Sequence, residues 1–403
     1  MSSDLWDVYT FSDFVSINPT VRLESSKEYS FVEMKDLNEN YRYVSPSVVK
    51  KLTGGARFQE KDTLFARITP CLENGKICQV TKLRNGVGFG STEFLVFRGK
   101  DGISDTAFVY YLSRYNVVRK FAESNMLGTS GRQRVTWEAF NNLQLSLPPL
   151  HIQRRIAEIL SALDDKIELN RQTNVTLEAV AQAIFKEWFV NFNFPNATGE
   201  MVESELGMIP KGWRIGKLGE VLDVKGGTTP STKVEEYWNG EYSFATPKDL
   251  SSLQSPFLFK TERRITAKGV NQISSGVLPS GILLLSSRAP IGYIAISDIP
   301  VSINQGFIAI NAKETSNLFI LLWLKNNIET VIGRANGSTF LEISKSNFRE
   351  IKFILPDKKM FILFDELISP YFNQINSNEK QTNILTLIRD ALLPKLMNGE
   401  IEL

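Results

Sequence analysis

The 403-residue sequence holds one histidine, His151, and two cysteines, Cys71 and Cys78. A single histidine removes most catalytic constellations together. A Ser-His-Asp triad, an H-E-x-x-H helix and a histidine-centred nuclease each need a pattern that His151 does not enter. His151 opens an amphipathic segment and reads as a surface or helix-start residue. The cysteines form no C-x-x-C pair and have no histidine partners, so they read as plain buried thiols, with no metal site. A Walker loop is missing as well: Gly75-Lys76, Gly99-Lys100 and Gly216-Lys217 are followed by Ile77, Asp101 and Leu218 where Ser or Thr is required. The sole Pro-Asp step, Pro356-Asp357, has no downstream acidic-x-Lys to complete a nuclease carboxylate cluster. No Asn/Asp-Pro-Pro-aromatic run of the amino-methyltransferase kind occurs. The longest apolar run, Leu318 to Leu324, falls far short of the ~20 residues that span a bilayer, and the acidic opening Met1 to Asp7 is no signal peptide, so a cytoplasmic location is expected. Charge of one sign is also lacking. Lys and Arg total 46 against 44 Asp and Glu, net +2, which excludes an indiscriminate polycation.

What is present is the composition of folded protein, 42% hydrophobic with 22% charged, on a chain too long for one ordinary domain. The chain repeats itself. Ser30 to Leu37 matches Ser243 to Leu250 at an offset of 213, and Phe94 matches Phe307 at the same offset. Ser130 to Pro148 follows Ser338 to Pro356 at an offset of 208, sharing Phe140 with Phe348 and a closing Leu-Pro. After each Leu-Pro comes a long helical pattern in which Gln172-Thr-Asn174 recurs as Gln381-Thr-Asn383. The unit is therefore module, then helix, twice over. Short β-branched and aromatic runs such as Thr63 to Ala66 and Phe307 to Ile310, broken by Gly, Pro and Asn, make the modules strand-rich. Buried helices are expected around Phe108 to Leu112 and Phe319 to Leu324.

The first long helix places Ile156, Ile159, Leu163, Ile167, Asn170, Asn174, Leu177, Ala181, Ile184 and Trp188 at steps of three and four, the spacing of a coiled-coil seam. The second does the same with Phe364, Ile368, Tyr371, Ile375, Asn378, Thr382, Leu385, Arg389, Leu392 and Leu396, with Pro370 expected to kink it. Two stripes in one chain predict mutual pairing, with Asn170, Asn174, Asn378 and Thr382 as mid-seam polar residues that fix register. Two independent helices, each packed on its own module, are the alternative. The fold class is α+β, with an internal pseudo-repeat: strand-rich modules at 1–148 and 193–356, and long helices at 149–192 and 357–403 forming an antiparallel coiled coil. At ~1.5 Å per residue, such a helix makes a rod roughly 57 Å long, a spacer between modules.

Net charge is +3 over residues 1–150 and +5 over 243–352, but −2 over each of 151–200, 201–242 and 353–403. Basic modules and acidic helices suit modules that touch phosphate and helices that meet protein. Within the modules, loops rich in Arg, Gln, Asn, Ser and Thr fall at matched positions: Arg67-Ile-Thr69 beside Ser286-Ser-Arg288, Ser91-Thr-Glu93 beside Asn304-Gln-Gly306, and Gly128 to Arg134 beside Arg334 to Thr339. Such side chains contact base edges or grip phosphates, although polar loops equally fit solvated turns. The candidate DNA-binding residues are Lys35, Arg67, Thr69, Ser91, Thr92, Ser130, Arg132, Gln133 and Arg134 in the first module. In the second they are Lys248, Ser287, Arg288, Asn304, Gln305, Arg334, Asn336, Ser338 and Thr339.

Several long stretches, in order, resemble the specificity subunit of a Type I restriction-modification system. They are Gln153 to Asn170 with Phe185-Lys-Glu-Trp-Phe189, then Leu206 to Trp213, Gly226-Gly-Thr-Thr-Pro-Ser231 and Leu392 to Gly399. The first module departs from the pattern, for Trp6 corresponds loosely to Trp213 and Gly226 to Ser231 has no counterpart there. The resemblance implies two target recognition domains separated by an antiparallel coiled coil, each reading one half of a split site in double-stranded DNA. It also implies a non-catalytic subunit without a cofactor of its own. Two methyltransferase subunits would bring S-adenosylmethionine and methylate adenine, and restriction subunits would add ATP- and Mg-dependent translocation and cleavage. A recognition part of a fused Type II restriction-methylation enzyme and a coiled-coil scaffold with protein-binding modules are the competing readings.

Overall fold

The structure, a computed structural model, describes residues 6–129, 131–337 and 341–403. It divides into two compact units, residues 1–172 with 380–403, and residues 173–379. Two 40-residue helices, Leu150–Phe189 and Lys358–Met397, each contribute a segment to both units.

The first unit starts with β1 (Asp7–Thr10), α1 (Phe11–Phe14), β2 (Val15–Ile17), β3 (Glu28–Val32), β4 (Tyr43–Val44), β5 (Val48–Lys51) and β6 (Ala56–Gln59). It continues with β7 (Thr63–Ala66), β8 (Ile77–Val80), β9 (Val87–Gly90), β10 (Phe94–Gly99), α2 (Thr106–Arg114), α3 (Asn116–Ser124) and β11 (Gln144–Leu147), and then enters the long helix α4 (Leu150–Phe189). Five strands form one sheet in the order β2-β10-β7-β8-β4, and four form another in the order β5-β3-β9-β6. Strands β7 and β8 are mostly apolar and buried on both faces, with Thr63 and Gln79 as buried polar residues, which fits their central places in the sheet. Helix α2 covers that sheet. Its start is fixed by Asp105, whose carboxylate accepts from the amides of Ala107 and Phe108 at 2.9 Å, and its apolar run Phe108 to Leu112 is fully buried. Cys78 is buried in the same sheet and Cys71 is half-buried. Burial pushes the Cys78 thiol up to about 12. His151 lies exposed in the first turn of α4.

The second unit repeats this plan. After a small hairpin of β12 (Met201–Ser204) and β13 (Gly207–Pro210) come β14 (Arg214–Lys217), α5 (Leu218–Val221), β15 (Leu222–Gly226), β16 (Trp238–Ala245), α6 (Pro247–Ser251), β17 (Phe257–Leu258), β18 (Arg263–Ile265) and α7 (Ala267–Val270). Then follow β19 (Leu283–Ser287), β20 (Ile291–Ser297), β21 (Val301–Ile303), β22 (Phe307–Ala312), α8 (Asn317–Asn326), α9 (Ile328–Ile332), α10 (Lys345–Arg349), β23 (Lys352–Leu355) and the long helix α11 (Lys358–Met397). The five-stranded order β15-β22-β19-β20-β17 is the order of the first unit, element for element. The pairing of β14 with β23 mirrors that of β1 with β11, and the parallel pairing of β16 with β21 mirrors that of β3 with β9. Register matches too. Phe94 faces Ala66 across β10 and β7, and Phe307 faces Ser286 across β22 and β19. Gly227 must remain glycine, because a Cβ there would meet the Ile303 carbonyl oxygen at 1.9 Å.

Within each unit the long helices run antiparallel. In the first, Asn170 donates to Gln381 and Thr382, Asp164 accepts from Arg389, and Ile156 and Leu160 share a core with Leu393 and Leu396. In the second, Asn378 donates to Asn174 at 2.8 Å, while Phe185 and Trp188 pack on Phe364. Of the seam positions read from spacing, Ile156, Ile167, Asn170, Asn174, Trp188, Ile368, Ile375 and Asn378 are buried. Leu163, Leu177, Ile184, Thr382, Leu385 and Leu392 are half-buried. Near the start of α4 the stripe shifts by one residue, so Leu160 and Asp164 are inside where Ile159 and Leu163 were expected, and farther on Phe185 is more buried than Ile184. The shift follows from Asp164, a charged residue that apolar spacing passes over and that the buried Arg389 draws into the seam. Helix α11 runs unbroken through Pro370.

Candidate nucleic-acid interface

In each unit one end of the five-stranded sheet meets a hairpin-like segment from the loop before the last strand. In the first unit, Leu127 and Arg134 exchange backbone hydrogen bonds at 2.9 Å, and Arg134 also bridges Ile68. The amide of Val135 then bonds the Arg67 carbonyl, and the amide of Arg67 bonds the Glu93 carbonyl at 3.0 Å. In the second unit, Asn336 and Glu342 exchange the same pair of bonds at 2.9 Å, and Glu342 bridges Arg288. The amide of Ile343 bonds the Ser287 carbonyl, and the amide of Ser287 bonds the Gly306 carbonyl. Backbone for backbone, Arg67, Ile68, Glu93 and Arg134 therefore take the places of Ser287, Arg288, Gly306 and Glu342. This corrects the sequence alignment of Arg67-Ile-Thr69 with Ser286-Ser-Arg288 by one residue.

The side chains on this frame are held. Arg134 makes a side-on bidentate pair with Glu93, Nε to both carboxylate oxygens at 2.9 and 3.0 Å and Nη2 to Oε1 at 2.8 Å, while Nη1 reaches the Arg132 carbonyl. That carboxylate raises the pKa of Arg134. Arg67 is half-buried beside it, and its buried Nε has no hydrogen-bond partner among the described residues. Gln133 and Thr69 join the same cluster, the Gln133 amide bonding the Thr69 hydroxyl at 3.1 Å. Ser91 accepts from the Glu93 amide and so braces the turn, whereas Thr92 and Arg132 are exposed. Lys35 lies outside the cluster, exposed and paired with Glu33, which raises its pKa.

In the second unit, Arg288 and Glu342 stand 3.7 Å apart, too far for a hydrogen bond, with 36% and 49% of their side chains exposed. Ser287 is buried beneath them. Asn304 braces its own turn by accepting from the Gly306 amide at 2.9 Å, and Gln305 accepts from Thr229. Arg334 and Asn336 are exposed in the hairpin segment. Lys248 is tied to Glu262 at 2.8 Å away from this cluster. Ser130, Ser338 and Thr339 fall outside the described residues. The cluster thus gathers Arg67, Thr69, Gln133 and Arg134 in one unit, and Ser287, Arg288 and Asn336 in the other. The sequence reading missed Glu93 and Glu342, because it weighted cations, amides and hydroxyls and passed over acids. Glu93 lay inside a matched loop, and Glu342 is the position that the repeat offset of 208 aligns with Arg134.

Such a frame can present donors and acceptors to a ligand edge, and among the described residues no group of His, Cys, Asp and Glu gathers that could hold a metal ion. No helix is long and apolar enough to cross a membrane among the described residues. A duplicated β-rich module with a polar rim at the same sheet end, joined to long antiparallel helices, is the architecture of a two-module recognition protein. Residues 3–179 and 210–386 match the family described as the Type I restriction modification DNA specificity domain, and the chain belongs to that family. It is 27% identical to the Type I restriction enzyme HindI specificity subunit of Haemophilus influenzae, over 98% of this chain and 99% of that one. Over 192 residues, 47% of this chain and 44% of the relative, it is 37% identical to the MjaIX specificity subunit of Methanocaldococcus jannaschii. The fold is shared with the S subunit of a Type I restriction-modification system from M. genitalium, at a TM-score of 0.55 over 97% of this chain and 96% of that one, with 16% identity.

Proposed function

We propose that this chain is the sequence-reading, non-catalytic subunit of a cytoplasmic Type I restriction-modification complex. Its modules, residues 1–148 and 193–356, each read one half of a split site in double-stranded DNA, and its long helices meet two methyltransferase subunits and set the distance between half-sites. Restriction subunits join that complex and, with the methyltransferases, supply all chemistry that uses S-adenosylmethionine, ATP and Mg. The observation that carries this reading is the duplication itself: one five-stranded sheet order, twice, with different side chains on the same rim. One frame with two side-chain sets suits a reader of two different half-sites.

The test is an exchange. Replacing residues 243–350 with the equivalent part of a relative and mapping methylation by the assembled complex is expected to change one half of the recognised sequence and leave the other. A simultaneous change of both halves would defeat the reading. Inserting four residues near Asn174 lengthens α4 by ~6 Å, and DNA advances ~3.4 Å per base pair, so the preferred spacer grows by about one to two base pairs. A two-residue insertion rotates the seam away and abolishes assembly. Methylation of libraries with randomised spacers reads both outcomes.

A further inference from the structure

The rim positions matched by backbone pairing carry opposite charge. Where the first unit has Arg134, the second has Glu342, each exchanging two backbone bonds across its hairpin and each bridging the residue that follows Arg67 or Ser287. The counter-charge has moved as well, from Glu93 on the strand side of the first unit to Arg288 on the second. A pure phosphate grip would not produce this swap. Arginine can bind either phosphate or base, but a carboxylate is acceptor-only and is repelled by phosphate, so at a DNA-facing position its favourable partner is an exocyclic amine.

Geometry distinguishes the two sites further. Glu93 holds Arg134 side-on through Nε and Nη2, and Nη1 gives one hydrogen to the Arg132 carbonyl at 3.3 Å, so one further hydrogen remains on each of Nη1 and Nη2. That is the donor pair that matches the O6 and N7 acceptors of guanine. Glu342 is not consumed by its neighbour, since 3.7 Å to Arg288 leaves its oxygens open. Beside it the surface is concave and apolar, lined by Ala289, Pro290, Ile291, Ile332 and Leu341. Once a ligand covers it, such a wall would shield a hydrogen bond made there from water and strengthen it.

Resting on the DNA-reading function above, we infer that both modules read a base from the same position of the fold with opposite chemistry. Arg134 reads a guanine and is positioned by Glu93. Glu342 accepts from the exocyclic amine of an adenine or cytosine.

The test uses the full chain assembled with its methyltransferase partners, on DNA libraries randomised through both half-sites. Glu342→Ala is expected to lose about 5- to 160-fold discrimination at one amine-bearing base of one half-site, with the other half unchanged. The base that relaxes tells adenine from cytosine. Arg134→Ala does the same at one guanine of the other half-site, and Glu93→Gln weakens discrimination at that same guanine, an effect a merely structural role would not confine to one base. Glu342→Gln keeps the size of the side chain and guards against misfolding; its amide also donates, so bases with a carbonyl at that position become accepted. Uniform weakening on all sequences, unchanged half-sites in folded variants, or relaxation at a base lacking the stated edge would overturn the inference. A wild-type complex without a bipartite site would instead overturn the DNA-reading function on which it rests.

Discussion

The two units attach the same kind of β-rich module to the same kind of helix pair through apolar cores that differ in what is set into them. In the first, a buried charged network is set into the apolar core. Asp164 on α4, 2% exposed, accepts from Tyr111 of α2 at 2.6 Å and from Arg389 of α11 at 2.7 Å. Arg42 binds Gln79 at 2.9 Å and reaches Tyr111 and Ser161, lying over the rings of Tyr43, Tyr110 and Tyr111. Burial opposes the charge of Arg389, but Asp164 and Asp390 outweigh it and its pKa is raised. In the second unit the joint is aromatic. Phe185, Trp188 and Phe189 of α4 meet Phe364 of α11 and Phe319 of α8, with Phe189 edge-on to Phe364 at 4.8 Å and to Phe319 at 5.0 Å. Directional hydrogen bonds hold an orientation at a cost in desolvation, while packed rings hold it through buried area. One topology therefore does not dictate one chemistry of attachment.

The comparison breaks most visibly at its anchors. Phe364→Ala, at a fully buried site among several rings, is expected to cost about 3–5 kcal/mol in denaturant unfolding. A loss below about 1 kcal/mol would mean that the aromatic joint is not what fixes the second unit. Asp164→Ala should cost at most a similar ~3–5 kcal/mol, because it removes the buried partner of the Arg389 guanidinium and leaves it only the half-exposed Asp390. The charged joint differs in being repairable. Asp164→Leu combined with Arg389→Met restores most of that stability, and a double-mutant cycle showing no coupling would remove the pair from the account.

Smaller changes sharpen the comparison along the helices. Replacing both Asn174 and Asn378 by Leu is expected to hold or raise stability by about 1 kcal/mol while loosening the register of the helix pair. Disulfide trapping of engineered cysteine pairs at neighbouring seam positions would detect mixed registers, and a single trapped register would show that the amides are dispensable. The smallest effect is one of pH. Burial holds the Glu379 carboxyl above its usual value, against a hydrogen bond from Asn174. The folded chain therefore keeps this proton to higher pH than the unfolded chain. Relative to Glu379→Gln, the wild type loses stability as pH rises from the ordinary carboxylate range through the raised folded value, and the difference levels off above it. Thermal melts of both proteins between pH 4 and pH 7 read this slope, and parallel curves would contradict it.

Patterns that recur along the chain were legible in the sequence: the duplication, the strand-rich modules with their buried helices, and two heptad-like stripes. Periodicity and offset are properties of neighbouring residues, and backbone geometry converts them directly into strands, helices and faces. The candidate site was legible as a region, because polar loops fell at matched places. Only the tertiary structure decided which residues share it. Arg134 finds Glu93, and Asp164 finds Arg389, across 41 and 225 positions of chain. The one-residue offset that aligns Arg67 with Ser287 is set by ladder bonds to Glu93 and Gly306, not by the loop sequences. Acids to which sequence patterns assign no role became the centres of both arrangements, since the value of a charge depends on what lies within a few ångströms of it, and that distance is fixed by docking sheet, hairpin and helix together.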